Sequence, residues 1–452
     1  MSGVKRLLLA STTLLVGGLV LYALGVAIIG TVQAFNRPSA DAQNVAASNK
    51  LLAEGKQIFR FDTFGDEAFW GGQLRLHETV RTLSPRQALG LGLKVDVDAL
   101  PRDVVEGLRK GKVNLDDPAV TAALLKLNAV IGVKGFFDDD TLSSIGLTCA
   151  VCHSAVDDSL APGIGHRLDG WPNQDLDVGR IVSSAPNLTP ITNLLQVDEA
   201  TLKSILQSWG PGYFDAIINH DGKVGPPPHL GAVRIPPAFG LAGHDLHTWG
   251  AGWGTVTYWN AYVANTQMMG IGNFYDPRLN DPAKYPVAAR SGRWNIRCGI
   301  PVGNVVRALC APGEEDRVTP KLAALHFYQL ALPAPKPPKG SFNRGAAKRG
   351  ERIFNGKGTC ASCHTQPLFT DAGWNAHTGQ EICIDNFHAN RAPDNAYVTA
   401  PLSGLFAKSK RGFYHDGRFA NLEAVVDHYN SCFGLALTPR EQSDLVEYLK
   451  SQ

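Results

Sequence analysis

The sequence predicts a mainly α-helical protein, with two similarly organised domains behind a single membrane-spanning segment. Three observations carry that prediction. An uncharged stretch runs from Leu7 to Ala34, directly after Lys5 and Arg6. A proline-rich spacer, Leu332-Pro-Ala-Pro-Lys-Pro-Pro-Lys-Gly340, divides the rest of the chain. One cysteine–histidine signature occurs on each side of that spacer. The expected division is an anchor over 1–36, a first domain with insertions over 37–331, the spacer over 332–340, and a second domain over 341–452. The 452 residues suffice for two or three ordinary cores. The 43 basic residues nearly balance the 41 acidic ones, for a net charge of +2, which argues against nucleic acid as a partner. The 47 glycines and 28 prolines point to long, well-defined loops.

The N-terminal stretch is 28 residues without a charge. A helix needs about 20 apolar residues to cross the hydrocarbon core, whereas the apolar part of a cleaved signal is about 7–15 residues long. A transmembrane helix is therefore expected, with Asn36-Arg37-Pro38 ending it. Val32-Gln33-Ala34 keeps a cleavage site open as the alternative. Basic residues before the span place the N-terminus in the cytoplasm. The expected location is the inner membrane, single-pass, with both domains on the periplasmic side.

The signature reads Cys149-Ala-Val-Cys152-His153 in the first domain and Cys360-Ala-Ser-Cys363-His364 in the second. C-x-x-C-H is the attachment sequence of haem c. Two thioethers fix the porphyrin, and the adjacent histidine is placed to bind the iron. A zinc or thioredoxin-like reading uses the cysteine pairs but leaves the trailing histidine unexplained twice. Two covalent haems are therefore expected, held by Cys149, Cys152, Cys360 and Cys363, with His153 and His364 as axial ligands. Outside the cell Cys298, Cys310, Cys383 and Cys432 meet oxidising conditions. Their spacing favours Cys298–Cys310 and Cys383–Cys432, with free buried thiols as the alternative.

Thr319-Pro320 predicts a helix through Leu330, with Thr319 as its cap. Arg344–Phe354 has a helical pattern. Thr438-Pro439-Arg440-Glu441 is a capping box opening a last helix that presents Leu445, Val446 and Leu449 on one face. Helix, haem motif, loops and terminal helix make the plan of a small class I cytochrome c. The first domain echoes it. Gly55-Lys-Gln-Ile-Phe59 parallels Gly350-Glu-Arg-Ile-Phe354, although about 90 residues then precede its motif. Pro237-Ala-Phe-Gly-Leu241 and Trp249-Gly-Ala-Gly252 parallel Pro401-Leu-Ser-Gly-Leu405 and Tyr414-His-Asp-Gly417. Shared order around each motif predicts internal duplication.

The second axial position separates an electron carrier from a reactive centre. No methionine follows Met269, so the C-terminal haem must look to His377, His388, His415 or His428. His428, in the helical segment Leu422–Tyr429, is the favoured ligand, with a solvent-facing histidine as the alternative. His415, in a turn, is better aimed at a propionate. The repeat aligns His428 with Val263, which cannot bind iron. The first haem then uses another ligand, for which His166 is the candidate, or keeps an open position. Trp249, Trp253 and Trp259 are expected to face it; Trp249 and Trp253 join His166 as candidate catalytic residues.

On these motifs the chain resembles the dihaem cytochrome c peroxidase superfamily, which includes the methylamine-utilisation dihaem enzymes and the rubber oxygenases. Phe61-Asp-Thr-Phe-Gly-Asp-Glu67, Leu168-Asp-Gly-Trp-Pro-Asn173 and Gly412-Phe-Tyr-His-Asp-Gly-Arg-Phe419 resemble a branch of membrane-anchored dihaem cytochromes. The resemblance implies a Ca2+ ion besides the haems, a redox partner protein or respiratory-chain component, and a reactive haem 1 supplied with electrons by haem 2. The context of His166 is similar to that of a displaceable distal ligand in the peroxidases. Two departures stand out: no Asp or Glu lies between Leu246 and Tyr275, where the peroxidases carry an acid–base carboxylate, and the methionine on the second haem is missing. A two-haem electron carrier serving a membrane dehydrogenase or oxidase is the rival reading.

Overall fold

The computed structural model describes residues 20–22, 39–292, 316–371 and 375–452. Met1–Leu51 and Leu52–Gln452 are separate compact units, and both cysteine–histidine motifs belong to the second. The expected membrane segment falls outside the described residues, apart from 20–22. Among the described residues no helix is long and apolar enough to cross a membrane.

The described chain is mainly α-helical, as expected, and its strands form only two-stranded sheets. Helix α1 (Ala40–Phe61) buries Gly55, Ile58 and Phe59. The long insertion that follows earns its length by building a core. Its principal hairpin pairs β1 (Val133–Asp138) with β2 (Thr141–Leu147), antiparallel from Val133–Leu147 to Asp138–Thr141. Asp139 makes the turn with φ of 53°, a left-handed conformation that Asp tolerates better than most residues. Leu142 and Ile145 pack with Leu124, Leu125 and Val130, and β2 delivers the chain directly to Cys149.

Downstream, Thr255 caps α2 (Val256–Tyr262), which continues as a wider π-turn over Val263–Gln267. Helix α3 (Leu322–Ala331) is preceded by a 3-10 turn, Thr319–Lys321. The expected cap at Thr319 is displaced. Asp316 instead accepts from the amides of Val318 and Thr319, both at 2.9 Å, because its carboxylate meets two orphan donors where the Thr hydroxyl would meet one. The proline-rich spacer has no regular structure, and Gly240 N–H donates to Leu332 O at its start at 2.8 Å. Helix α4 (Arg344–Asn355) is capped by Asn343, α5 (Leu422–Cys432) by Asn421, and α6 (Pro439–Lys450) by the predicted box of Thr438 and Glu441. Leu445, Val446 and Leu449 are buried as expected.

Two helix crossings repeat one another. A Cβ at Gly55 on α1 would lie 2.0 Å from the Ala324 carbonyl oxygen on α3, and one at Gly350 on α4 would lie 2.0 Å from that of Asp444 on α6. One turn on, Phe59 meets Tyr328 at 5.6 Å between rings, and Phe354 meets Tyr448 at 5.1 Å. The glycine–phenylalanine echo is thus a packing device: the missing side chain lets two helices approach until backbone touches backbone. Elsewhere Arg391, buried, pairs with Asp215 and Asp221 and joins sequence-distant parts of the fold. Trp171 packs edge-on against Phe239 and Phe406.

Candidate functional site

The first motif folds into a short helix, Ala150–His153, between β2 and a strand at Ser154. His153 turns its Nδ1 to the Pro236 carbonyl at 3.0 Å. A carbonyl only accepts, so Nδ1 carries the proton and Nε2 keeps a lone pair for a metal. Burial holds the imidazole neutral, down to about 4, and pushes the Cys149 and Cys152 thiols up to about 12. Neither thiol is in a disulfide.

Cys149, Cys152 and His153 line a cavity of about 350 Å³. Trp249, Trp253, Trp259 and Val263 line it too, so the structure gathers here the residues that the repeat assigned to the first haem. Trp249 donates its indole N–H to the Arg234 carbonyl at 2.9 Å. Trp253, buried, sits within 6.2 Å of Trp259 and 5.6 Å of Tyr262, ring to ring. The wall is overwhelmingly aliphatic and aromatic, and no carboxylate lines it. An apolar slot with two free thiols and an oriented imidazole fits haem c. His166 is not brought here. It is 59% exposed and faces Asp98 at 2.9 Å; in a tight hairpin beside Asp157 it points to solvent rather than into the cavity.

The second motif repeats the orientation. Its His364 Nδ1 meets the Phe369 carbonyl at 3.0 Å, again leaving Nε2 with its lone pair. Cys360 is packed against the core of Phe354, Leu405, Phe413 and Leu445. Cys363 lies with Asp371 and His377 in a group whose ligand atoms converge within 4.8 Å. Since Cys363 is also the second attachment cysteine, that trio belongs to the haem site. A thiol in the set does not suit Ca2+, which takes oxygen ligands.

The four candidate histidines do not converge on one site, and His388 lines the cavity of the first motif. His377 faces Asp371 at 3.4 Å, and Cys363 and Asp371 raise it to about 9. His388 and His415 are buried and stack at 5.4 Å, with Tyr397 at 4.8 Å from His415. Burial lowers both, His415 to about 4. His428 is on α5 as expected, but its Nε2 contacts the Ile382 carbonyl at 2.9 Å. That bond puts the proton on Nε2 and leaves the ring's lone pair on Nδ1, the reverse of the arrangement at His153 and His364. Beside His428 stands Tyr414, 5.9 Å away ring to ring, in the left-handed region with φ of 68° and with a buried hydroxyl set against that of Tyr429. Its neighbour Tyr429 is perturbed by Cys363 and Cys360, which places this wall at the second motif. A lone tyrosine carries no ligand signal in sequence, and the left-handed backbone that singles out Tyr414 is visible only in the fold.

Cys383–Cys432 is a disulfide, as the spacing favoured, whereas Cys298 and Cys310 lie outside the described residues.

No family model matches the chain. It is 31% identical over 156 residues to methylamine utilization protein MauG of Methylorubrum extorquens, covering 28% of this chain and 42% of that protein. The chain thus spans less than half the length of that relative. Two solved structures are also similar. Hydrazine synthase of Kuenenia stuttgartiensis is 25% identical over 31% of this chain and 59% of that one, with a TM-score of 0.22. A MauG-like protein associated with microbial copper homeostasis is 20% identical over 29% and 55%, with a TM-score of 0.24. Overlays this loose carry no argument. The likeness to MauG supports the resemblance to the dihaem cytochrome c peroxidase superfamily that the motifs carry.

Proposed function

We propose that this chain is a membrane-anchored, periplasmic dihaem c-type cytochrome, a redox protein of the dihaem peroxidase and oxygenase type. Haem 1, on Cys149, Cys152 and His153, is the reactive centre. Haem 2, on Cys360, Cys363 and His364, relays electrons to it from a partner in the respiratory chain. The observation that carries this reading is the matched pair of histidines: each gives its Nδ1 proton to a backbone carbonyl at 3.0 Å and presents Nε2 beside two free thiols.

Haem supplies a redox-active iron whose unliganded face takes up small molecules. The residues here orient and seclude it. Pro236 and Phe369 fix the tautomers of His153 and His364. The aliphatic and indole wall keeps water from the first site. Trp249 and Trp253 in that wall would offer π-systems to electrons entering the cavity. With no carboxylate in the lining, the groups there that can exchange a proton include the histidines His244, His247 and His388, which favours oxygenase or carrier chemistry over peroxide cleavage.

For haem 2, His428 and Tyr414 are the residues that would hold the iron opposite His364. His428 spends its Nε2 on the Ile382 carbonyl, whereas the Tyr414 hydroxyl meets only that of Tyr429, which favours Tyr414. Denatured protein should retain two haems per chain, and Cys149→Ala with Cys152→Ala should leave one. A wild-type mass with a single haem would overturn the dihaem reading. Ferric spectra then separate the roles: one high-spin centre identifies a reactive haem 1, and two low-spin centres identify the electron carrier. Tyr414→Phe should alter the ferric spectrum of haem 2 while His428→Ala leaves it intact; the reverse result returns the ligand to His428.

A further inference from the structure

The buried cations of this fold come in two kinds. Lys94 pairs with Asp175 at 2.8 Å, Arg167 with Asp169 at 2.8 Å, and Arg391 with Asp215 and Asp221 at 3.0 and 2.7 Å. Arg234 and Lys408 are equally buried, at 5% and 9% exposed. Among the described residues neither has a carboxylate within ion-pair distance. Their polar contacts are almost all to carbonyls. Lys408 Nζ donates to Pro401 O at 2.7 Å. Arg234 donates to the Lys408 and Tyr414 carbonyls and, at 3.4 Å, to Gln174 Oε1, while its Nε has no partner at all. Burial lowers both groups, and the two repel each other, with Lys408 brought down to about 7.

Two like charges held side by side in a dry interior cost several kcal/mol unless an anion joins them. Their location says where it comes from. Both line the cavity of Cys149, Cys152 and His153, whose wall has no carboxylate. Lys408 also acts electrostatically on His364 of the second motif, so it stands between the two sites. Asp416, the acid that acts on Arg234, is already engaged by Arg418.

We propose that Arg234 and Lys408 form a cationic clamp for the propionate carboxylates of the haem attached at Cys149 and Cys152, and that their charge raises its reduction potential. The proposal rests on the haem reading above and goes beyond it by assigning two residues that no motif contains. The clamp closes the electrostatic account of the cavity: two cations without acids receive two acids carried in by the cofactor. A cation beside the iron favours the reduced, less positive form, so losing one lowers the potential.

The test is redox titration of the full-length protein with each haem followed by its absorbance, after haem content is counted. Lys408→Gln should keep two haems and shift the haem 1 oxidised-to-reduced ratio at fixed potential by about tenfold toward oxidised, a fall of about 59 mV for one electron. Arg234→Gln should do the same. Lys410→Gln, at a surface lysine paired with Asp175, should change nothing. Should the neutral variants fail to accumulate, Lys408→Arg keeps the charge. Redox-induced infrared difference spectra should then show a propionate carboxylate band moved by the exchange. Two retained haems with unchanged potential in both neutral variants, an equal fall in Lys410→Gln, or an unmoved carboxylate band would overturn the clamp. A wild-type chain without haem 1 would instead overturn the haem reading itself.

Discussion

The Cys383–Cys432 disulfide ties α5 to the loop that precedes His388, and its removal gives a sharp expectation. The two cysteines are 49 residues apart. In the loop-entropy treatment a cross-link of that span costs the unfolded chain about 14 cal/mol/K, or about 4 kcal/mol at 25 °C, with about 2–5 typical for native disulfides. The bond also guards a second contact. Cys432 lies one turn beyond His428, and Cys383 follows Ile382, whose carbonyl meets His428 Nε2 at 2.9 Å. Covalent and hydrogen-bonded links thus clamp the same two segments. Cys383→Ala with Cys432→Ala should lower the stability of the C-terminal region by about 2–4 kcal/mol. Urea unfolding followed by haem 2 absorbance reads this directly, and wild-type protein under reductant should reproduce it. The haem 1 signal should move less, since both cysteines lie beyond its motif. An unchanged urea midpoint in a double variant that keeps both haems would refute the reasoning.

Gly55→Ala and Gly350→Ala should each destabilise by about 1–3 kcal/mol or more, because the added methyl lies 2.0 Å from a facing carbonyl; thermal melts that leave either variant at wild-type stability would break the equivalence of the two helix crossings. Arg391→Leu strands Asp215 and Asp221 in the interior and should cost about 3–5 kcal/mol, with part of the loss recovered when Asp221→Asn is added. The terminal-helix cap gives a pH signature. Lys357 and the Thr438 amide and hydroxyl hold Glu441 at about 2, against an ordinary 4.5. Its folded-state pKa is depressed, so its contribution is complete above pH 4.5 and lost as pH falls toward 2. Glu441→Gln should flatten the acid limb of the stability curve in that window; an identical limb would show that the cap does not titrate as described.

What could be read from the residues alone is what is encoded locally. C-x-x-C-H names a covalent attachment, because thioether and axial chemistry need those residues in that order, and the structure turns both histidines accordingly. The capping box at Thr438–Glu441 and the buried face of Leu445, Val446 and Leu449 were legible because caps and helical periodicity are properties of one segment. Gly55–Phe59 and Gly350–Phe354 could be matched as words. Their partners, Tyr328 and Tyr448, could not, because helix crossing is decided by which backbone a missing Cβ admits. The direction of side chains follows from packing between distant segments. His428 lies on the expected helix, yet Ile382 claims its Nε2; His166 lies near the first motif in sequence, yet its hairpin turns it to Asp98 in solvent. Arg234 and Lys408 are 174 residues apart, and nothing local marks either one. Their meaning comes from a shared desolvated wall without acids, and charge balance in an interior is a property of the surroundings that only the fold assembles.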